Sequence, residues 1–306
     1  MTTTIGVDLG ATKLLAGTVD VDGEVGDRVK RATPIEGPEA VADAIAEMVA
    51  ELGGADRLGV GTPGYVDDEG SVGGVPNMVG WDPPVPLAQL VRAATGVNAV
   101  AVDNDVNVGA LGEVAHGAAA GHDDVLCVFM GTGVGGGVVL DGRLRRGPHG
   151  LAGEIGHLIV RDGGRRCGCG GRGHVEAYGG RAGMEAEARR RHAAGESTAL
   201  VEIAGDARMK SSVFAKALDK RDAMAVELID EAIEAVGAAI ASAVMLLDLS
   251  IVVVGGGVAD RLGPELVARV GAAAAQRLVV GLAVPVVPSR LGDDAGIIGA
   301  ARLVGS

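Results

Sequence analysis

TTIGVDLGATKLLAGTVDVDGEV, residues Thr3–Val25, contains two apolar runs separated by Asp8-Leu9-Gly10-Ala11-Thr12. Apolar residues alternate with small or polar ones on both sides of this bend, and a period of two residues is typical of strands. Asp22-Gly23 is a dipeptide that favours a tight hairpin turn. The stretch therefore predicts paired strands at the start of the chain, with a carboxylate and a glycine turn between the first two.

The rest of the chain alternates between buried strands and helices. Strands are predicted in AVAVDN, VLCVFM and LSIVVVG, and helices over Pro38–Leu52, Leu87–Thr95, Arg181–His192, Asp222–Leu247, Pro264–Leu278 and, with an Asp at its N-cap, GDDAGIIGAARLVG. A chain of 306 residues is long enough for two cores. We therefore expect an α/β fold of two layered domains with a cleft between them.

Composition excludes several functional classes. The formal net charge is −13, which argues against a nucleic-acid partner because binding to a phosphate backbone needs a basic face. No signal-type N-terminus or run of about 18 apolar residues is present, so we expect a soluble, cytoplasmic protein with no membrane partner. Three cysteines cannot form a disulfide framework, and Cys127, within VLCVFM, is expected to be buried packing.

Three glycine-rich bends follow predicted strands, at Asp8–Thr12, Gly131–Gly137 and Gly255–Ala259. The second contains the spacing GxGxxG, but a dinucleotide fingerprint should open a helix, whereas VVLDG predicts a strand and a turn. Each bend alone is compatible with an ordinary tight turn. Together, at strand ends, they predict backbone N–H groups that converge on a triphosphate.

Two further stretches carry polar chemistry. Asp103-Asn104-Asp105 lies at a strand-to-helix break, where capping of the helix is the structural alternative to a functional role. Cys167 and Cys169 are separated by one glycine, and they are compatible with a metal site, a redox pair or chance.

The three glycine bends resemble the two phosphate loops and the adenosine loop of the actin-like, hexokinase-like ATPase fold. From about Ile5 to Leu303 the pattern is similar to the ROK family of sugar kinases and repressors. The resemblance implies two actin-like, ribonuclease H-like α/β domains. The smaller would span 1–104, completed by a helix at about 291–306, and the larger 105–290, with a zinc loop at 157–176.

The resemblance also implies the residues of the site. Asp105 would take the proton from the attacking sugar hydroxyl, a base role that phosphoryl transfer can use. The implied sugar contacts are Gly64, Asn77, Asn104, Asp105, Glu154, His157 and Glu176. The implied nucleotide contacts are Asp8, Gly10, Ala11, Thr12, Lys13, Gly131, Thr132, Gly133, Gly255, Gly256 and Gly257, with Asp8 assisting Mg²⁺.

ROK proteins carry a zinc motif of the form GH, a spacer, then CxCGxxGCxE. Here Gly156-His157 is followed by nine residues, by Cys167-Gly168-Cys169-Gly170 and then by Gly173-His174-Val175-Glu176. His174 stands where the motif has its third cysteine. The resemblance therefore implies a structural zinc held by His157, Cys167, Cys169 and His174, a ligand set that zinc accepts.

The implied activity is an ATP-dependent hexose kinase that acts on glucose at O6. A kinase of another hexose, such as N-acylmannosamine or fructose, is an alternative, and ATP and polyphosphate would both suit the glycine loops as donors. A sugar-responsive repressor of the same family is a further alternative, but it would carry an added N-terminal helix-turn-helix before the loop at Asp8. Relatives suggest a homodimer or homotetramer.

Overall fold

The computed structural model describes residues 2–75, 78–81 and 84–304, which form two compact units. The first unit comprises Met1–Asp123, Gly137–Ala152 and Arg290–Ser306, and the second comprises Asp124–Gly136 and Gly153–Ser289. The predicted domain boundaries remain a prediction, and the compact units divide the chain at other points. The helix that follows residue 104 stays with the first unit because it packs against the C-terminal helix.

The first unit contains a five-stranded sheet in the order β3-β2-β1-β4-β7. Its strands are β1 (Thr4–Leu9), β2 (Lys13–Val19), β3 (Val25–Ala32), β4 (Arg57–Thr62) and β7 (Ala99–Asn104). β1, β2 and β3 are antiparallel neighbours, as the opening stretch predicts, whereas β1, β4 and β7 run parallel. A small antiparallel pair, β5 (Tyr65–Val66) and β6 (Val72–Gly73), follows β4.

In the described part of the first unit, four α-helices accompany this sheet. They are α1 (Pro38–Glu51), α2 (Leu87–Thr95), α3 (Asp105–His116) and α11 (Ala295–Leu303). α1 and α2 confirm the predicted helices to within one residue, and α1 buries Val41, Ile45 and Met48, one apolar stripe at helical spacing.

α11 packs against both the sheet and α3 at backbone contact distance. A Cβ on Gly6 of β1 would lie 1.9 Å, and one on Gly59 of β4 1.7 Å, from a carbonyl oxygen of α11. These two glycines are register partners on adjacent strands, so they form a continuous trough for the helix. Toward α3, a Cβ on Gly299 would lie 1.7 Å from the carbonyl oxygen of Val108. Only glycine leaves room for such contacts.

The second sheet has the order β10-β9-β8-β11-β12. Its strands are β8 (Val125–Met130), β9 (Val134–Leu140), β10 (Arg143–Leu144), β11 (Ile251–Gly255) and β12 (Val286–Pro288). β8, β11 and β12 run parallel, and Cys127 is fully buried in β8, as predicted. The helices of the second unit are α4 (Glu176–Gly179), α5 (Arg181–Ala193), α6 (Ala199–Ala204), α7 (Ser211–Asp219), α8 (Ala223–Leu247), α9 (Gly257–Leu262) and α10 (Pro264–Ala275). Short 3₁₀ helices span Ile155–His157 and Gly292–Asp294.

Two local expectations differ from the structure. Asp294 occupies the N-cap position of α11, but its carboxylate makes no capping bond and instead pairs with Arg28 at 2.8 Å. The short helices α6 and α7 were not predicted. None of the helices within residues 2–75, 78–81 and 84–304 is both long and apolar enough to cross a bilayer.

We expect Gly299→Ala to lower the free energy of unfolding by about 3 kcal/mol or more, because the added methyl group meets a backbone carbonyl that cannot move aside. Urea denaturation of the wild-type and variant proteins measures the loss. Gly257→Ala is the control, since a Cβ there would meet nothing nearer than Ser211 Oγ at 3.8 Å. Equal stability of the Gly299→Ala variant and the wild type would contradict the close packing of α11.

Candidate active site

Polar groups cluster at the carboxyl ends of three adjacent parallel strands of the first sheet. Asp8 lies near the end of β1, Gly64 follows β4, and Asp103-Asn104-Asp105 joins β7 to α3. Asp8 is in register with Gly61 of β4, and Gly61 is in register with Asp103 of β7. This edge is where open α/β sheets bind ligands.

The turn between β7 and α3 is fixed by the side chain of Asn104. Its Oδ1 accepts hydrogen bonds from the backbone N–H groups of Val106 and Asn107, at 2.9 and 3.3 Å, and so caps α3. Its Nδ2 donates to the carbonyl oxygen of Gly64 at 2.8 Å, which ties the turn to the loop after β4. Helix capping was the structural alternative to a functional role for Asp103-Asn104-Asp105, and Asn104 does cap α3. Asp105 is the first residue of the helix.

Asp105 is half-buried beside another carboxylate. Burial, followed by repulsion from Asp8, raises the pKa of Asp105 to about 6. The pKa of Asp8 is also raised, first by burial and then by Asp293, while the nearby charge of Lys13 lowers it. A carboxylate with a pKa near 6 can accept a proton at neutral pH and is a stronger base than an ordinary Asp.

Asp103 is a buried carboxylate whose ion-pair partner the sequence did not reveal. Its carboxylate is only 2% exposed, and Oδ2 accepts a hydrogen bond from Nε of Arg146 at 2.5 Å. Oδ1 accepts from the backbone N–H of Asn104 at 2.7 Å and from Nδ2 of Asn107 at 2.9 Å. The two members of the pair are 43 residues apart, and no local pattern connects them.

The bend between β1 and β2 is a tight turn with an exposed tip. The N–H of Gly10 donates to the carbonyl oxygen of Lys13 at 2.9 Å, and Thr33 Oγ1 donates to the carbonyl oxygen of Gly10 at 2.6 Å. Ala11 and Thr12, at the tip, are exposed. The bend can therefore present backbone N–H groups to an anion.

The other two glycine bends lie together in the second unit. Gly131–Gly133 follows β8. Gly255–Gly257 runs from the last residue of β11, the parallel neighbour of β8, to the first residue of α9. Gly256 has a φ of 86°, and a Cβ there would lie 2.8 Å from the backbone N of Met130. The strand β9 follows the first of these bends, as the sequence predicted in place of a dinucleotide fold. The Thr132 hydroxyl accepts a hydrogen bond from Arg181 Nη2 at 2.6 Å, which ties the bend to α5.

Glu154, His157 and Glu176 surround the cysteine loop of the second unit. His157 Nε2 lies 3.6 Å from Glu154 Oε2, while Nδ1 of the same ring lies 4.0 Å from Cys167 Sγ. Glu176 Oε1 accepts from the Cys167 thiol at 3.4 Å, and Oε2 accepts from the backbone N–H of Val134 at 3.3 Å. Glu176 thus bridges the cysteine loop and the bend after β8.

The four predicted zinc ligands converge. One ligand atom from each of His157, Cys167, Cys169 and His174 lies within 4.8 Å of the other three. Cys169 Sγ and His174 Nδ1 are 3.2 Å apart, whereas four ligands of a tetrahedral zinc are about 3.3–3.8 Å apart, so the donor set fits the ion with small adjustments. Burial, with a contribution from Glu176, raises the pKa of the Cys167 thiol to about 12, and a bound metal would displace that proton.

Glycines allow the cysteine loop to close this tightly. A Cβ on Gly171 would lie 2.4 Å from the ring of His174, and one on Gly173, where φ is 74°, would lie 1.8 Å from the carbonyl oxygen of Arg161. The N–H of Cys167 donates to the carbonyl oxygen of Gly171 at 2.8 Å. The backbone therefore brings the ligands together.

The structure sorts the predicted site residues into local groups. Asp8, Gly10–Lys13, Gly64, Asn104 and Asp105 lie along one edge of the first sheet. In the second unit, the two glycine bends form one group, and His157 belongs to the Cys/His cluster, with Glu154 and Glu176 beside it. Asn77 lies outside the described residues. The functional roles of all these residues remain predictions.

Comparison with known proteins identifies the family. The model of the ROK family matches residues 4–306. The chain is 36% identical to the glucokinase of Streptomyces coelicolor, over 98% of this chain and 96% of that protein. It is 34% identical to the N-acetylmannosamine kinase of Escherichia coli O9:H4, over 98% of each.

A solved structure agrees with this assignment. The crystal structure of a ROK family glucokinase from Streptomyces griseus, in complex with glucose and AMPPNP, is 35% identical and has a TM-score of 0.83, covering 98% of both chains. The similarity confirms the predicted actin-like α/β fold and the predicted resemblance to the ROK family. From its sequence and its fold, the chain belongs to the ROK family.

Proposed function

We propose that this protein is an ATP-dependent hexose kinase that phosphorylates glucose at O6. The observation that carries the proposal is Asp105, a half-buried carboxylate with a pKa of about 6 at the carboxyl edge of a parallel sheet. Membership of a family with a glucokinase at 36% identity supports the acceptor, and the AMPPNP complex of the Streptomyces griseus relative supports a nucleotide donor.

Asp105 would act as the general base of the transfer. The proton of the acceptor hydroxyl passes to a carboxylate oxygen of Asp105 as the acceptor oxygen bonds to the γ-phosphorus. The bond from that phosphorus to the β,γ-bridging oxygen breaks, and ADP leaves with the electron pair. Such reactions depend mainly on alignment and charge neutralisation, with the base adding about 10²- to 10⁴-fold.

The three glycine bends would bind the donor. Gly10–Lys13 and Gly131–Gly133 would hold phosphate oxygens by backbone N–H groups, with the charge of Lys13 nearby, and Gly255–Gly257 would border the adenosine. Asp8 fits a role in holding Mg²⁺, because its carboxylate lies near two others. The charge of Asp293 raises the pKa of Asp8, and the charge of Asp8 raises the pKa of Asp105. When bound, Mg²⁺ would neutralise charge on the polyphosphate leaving group.

Sugar hydroxyls would bind to the remaining predicted site residues. Gly64, Asn77 and Asn104 would border the acceptor near the base. Glu154 and Glu176 would accept from hydroxyls near the anomeric end, and His157 would donate to a hydroxyl oxygen there. Carboxylates suit this task because adjacent sugar hydroxyls offer paired donors. Structural zinc at His157, Cys167, Cys169 and His174 would fix the orientation of His157, leaving its second ring nitrogen for a hydrogen bond.

A panel of acceptors and donors tests the proposed function directly. We expect kcat/KM to be highest for glucose with ATP, and the product to carry its phosphate at O6. N-acetylmannosamine and fructose, with ATP and polyphosphate as alternative donors, complete the panel. A preference for N-acetylmannosamine would favour the alternative acceptor that the 34% identical relative represents. Absence of phosphorylation for every sugar would contradict a kinase.

We expect Asp105→Asn to lower kcat by about 10²- to 10⁴-fold, because the amide cannot accept the hydroxyl proton. Steady-state kinetics with the best hexose measure the loss. Asp43→Asn, which removes an exposed carboxylate of α1, is the control for loss of charge. Turnover of the Asp105→Asn variant near that of the control would exclude Asp105 as the base.

Thermal melting shows whether the Asp105→Asn variant remains folded. The pKa of Asp105 is raised to about 6 in the folded protein, so its ionisation is less favourable there than in the unfolded chain. At pH 8 the variant should therefore be more stable than the wild type, by up to about 3 kcal/mol. The gain should shrink as the pH falls below 6 and vanish well below the unfolded-state pKa of 3.8, where the carboxyl is protonated in both states.

Metal analysis tests the zinc site without relying on activity. We expect about one zinc per purified chain, and loss of that zinc in Cys169→Ser, because a structural site needs all four ligands. Cys127→Ala, which changes the buried cysteine of β8, should keep its metal. Chelation should lower the Tm of the wild type but not of Cys169→Ser. A metal-free wild-type protein with full activity would contradict the site.

A further inference from the structure

Asp103 is the most deeply buried acidic group next to the proposed base. Its residue is 2% exposed, and it lies two positions before Asp105 at the end of β7. A carboxylate removed from water in this way is stable only if it is paired and hydrogen-bonded. Its contacts therefore decide the geometry of the turn.

Those contacts involve the turn itself. Oδ1 of Asp103 accepts from the backbone N–H of Asn104 and from Nδ2 of Asn107, in the first turn of α3. The side chain of Asn104 in turn caps α3 and donates to Gly64. The carboxylate of Asp103 is therefore the first member of a hydrogen-bond network that fixes the turn on both sides of Asp105.

Arg146 supplies the charge that balances this carboxylate. Its Nε contacts Asp103 Oδ2 at 2.5 Å, while the side chain as a whole is 43% exposed. The backbone around Arg146 is fixed on both sides, because the N–H of Arg145 donates to Val138 and the carbonyl of Arg146 accepts from Ala152. The guanidinium therefore approaches from an anchored loop, and its removal opens no cavity in the core.

We propose that Arg146, acting through Asp103, is a positioning residue for the acceptor base: its ion pair with Asp103 fixes the Asp103-Asn104-Asp105 turn in the geometry that phosphoryl transfer requires. This inference rests on the proposed kinase function. Without Arg146, a buried carboxylate is left without its cation, and the turn must rearrange to bring that charge to water. Displacement of a catalytic group by about 1 Å can cost on the order of 100-fold in rate.

Kinetics of three variants test the role. Arg146→Met should lower kcat on the order of 10- to 100-fold, with the KM for ATP changed less than about twofold, because only the base is displaced. Arg146→Lys should recover most of kcat, because Arg146 contacts Asp103 through one N–H donor, at Nε, and lysine also supplies a charged donor. The double variant Asp103→Asn with Arg146→Met should be faster than the product of the single effects predicts, because no buried charge remains unpaired.

Arg269→Met is the matched control. Arg269 is 47% exposed, much like Arg146, but its partner Asp230 is 50% exposed rather than buried. This variant should keep the kcat of the wild type, because an exposed pair contributes little. A kcat within about twofold of wild type for Arg146→Met would overturn the inference, and so would fully multiplicative effects in the double variant. A rise in the KM for the sugar with unchanged kcat would also overturn it, since Arg146 would then contact the substrate directly.

A structural readout separates this inference from the proposed function. The N–H of Asn104 donates to Asp103, so its NMR shift and hydrogen exchange report on the turn without any turnover. Arg146→Met should shift this resonance and speed its exchange, and Arg269→Met should do neither. An unchanged Asn104 amide would overturn the inference even if the protein proves to be a hexose kinase. If the Asn104 amide changes in Arg146→Met but the protein phosphorylates no hexose, the role of Arg146 in fixing the turn is supported and the proposed kinase function is refuted.

Discussion

The contact between α11 and the glycines of β1, β4 and α3 is the constraint on which the candidate site depends. The helix lies so close to the sheet that side chains at Gly6 or Gly59 would overlap its carbonyl groups. The same helix brings Gly296 against Asp8, where a Cβ would lie 3.1 Å from the carboxylate side chain. The last residues of the chain therefore set the position of a group near its beginning.

Glu113 fixes the chain where it enters that contact. The side chain is fully buried in α3, and its carboxylate accepts from the backbone N–H groups of Ala118, Arg290 and Leu291 at 2.7 to 3.2 Å. Several N–H donors can stabilise a buried carboxylate without a cation. The carboxylate thus joins the end of α3 to the segment that leads into α11, and both helices are held in one arrangement.

Acidic side chains cluster at the carboxyl edge of the first sheet, and this clustering lowers the stability of the fold. Burial and the charge of Asp8 raise the pKa of Asp105, and burial and the charge of Asp293 raise the pKa of Asp8. A fold selected for stability alone would not gather like charges here. Because α11 packs against this edge at backbone contact distance, with Gly296 against Asp8, the carboxylates stay close together, and Asp105 keeps a raised pKa that suits the proposed role as base.

The sequence predicts the elements of this architecture better than it predicts the contacts between them. Period-two alternation in Thr3–Val25 and helical spacing in Pro38–Leu52 are local, and both are confirmed. The partner of Asp103 is 43 residues away, and Glu113 binds N–H groups 177 and 178 residues away. Such pairs leave no periodic trace, because only the folded backbone brings them together.

The cysteine loop is an exception, because its sequence motif predicts a contact between side chains as well as the local backbone structure. Two cysteines, two histidines and the glycines between them can meet only if the backbone turns sharply, and the close approaches at Gly171 and Gly173 show that it does.

His157 then faces the cluster with one ring nitrogen and Glu154 with the other, and Glu176 touches both Cys167 and the N–H that follows the glycine bend after β8. A change in the cluster therefore reaches that bend through one carboxylate. In the second unit, as at the carboxyl edge of the first, hydrogen bonds of a carboxylate join segments that are distant in the sequence and so position the polar groups.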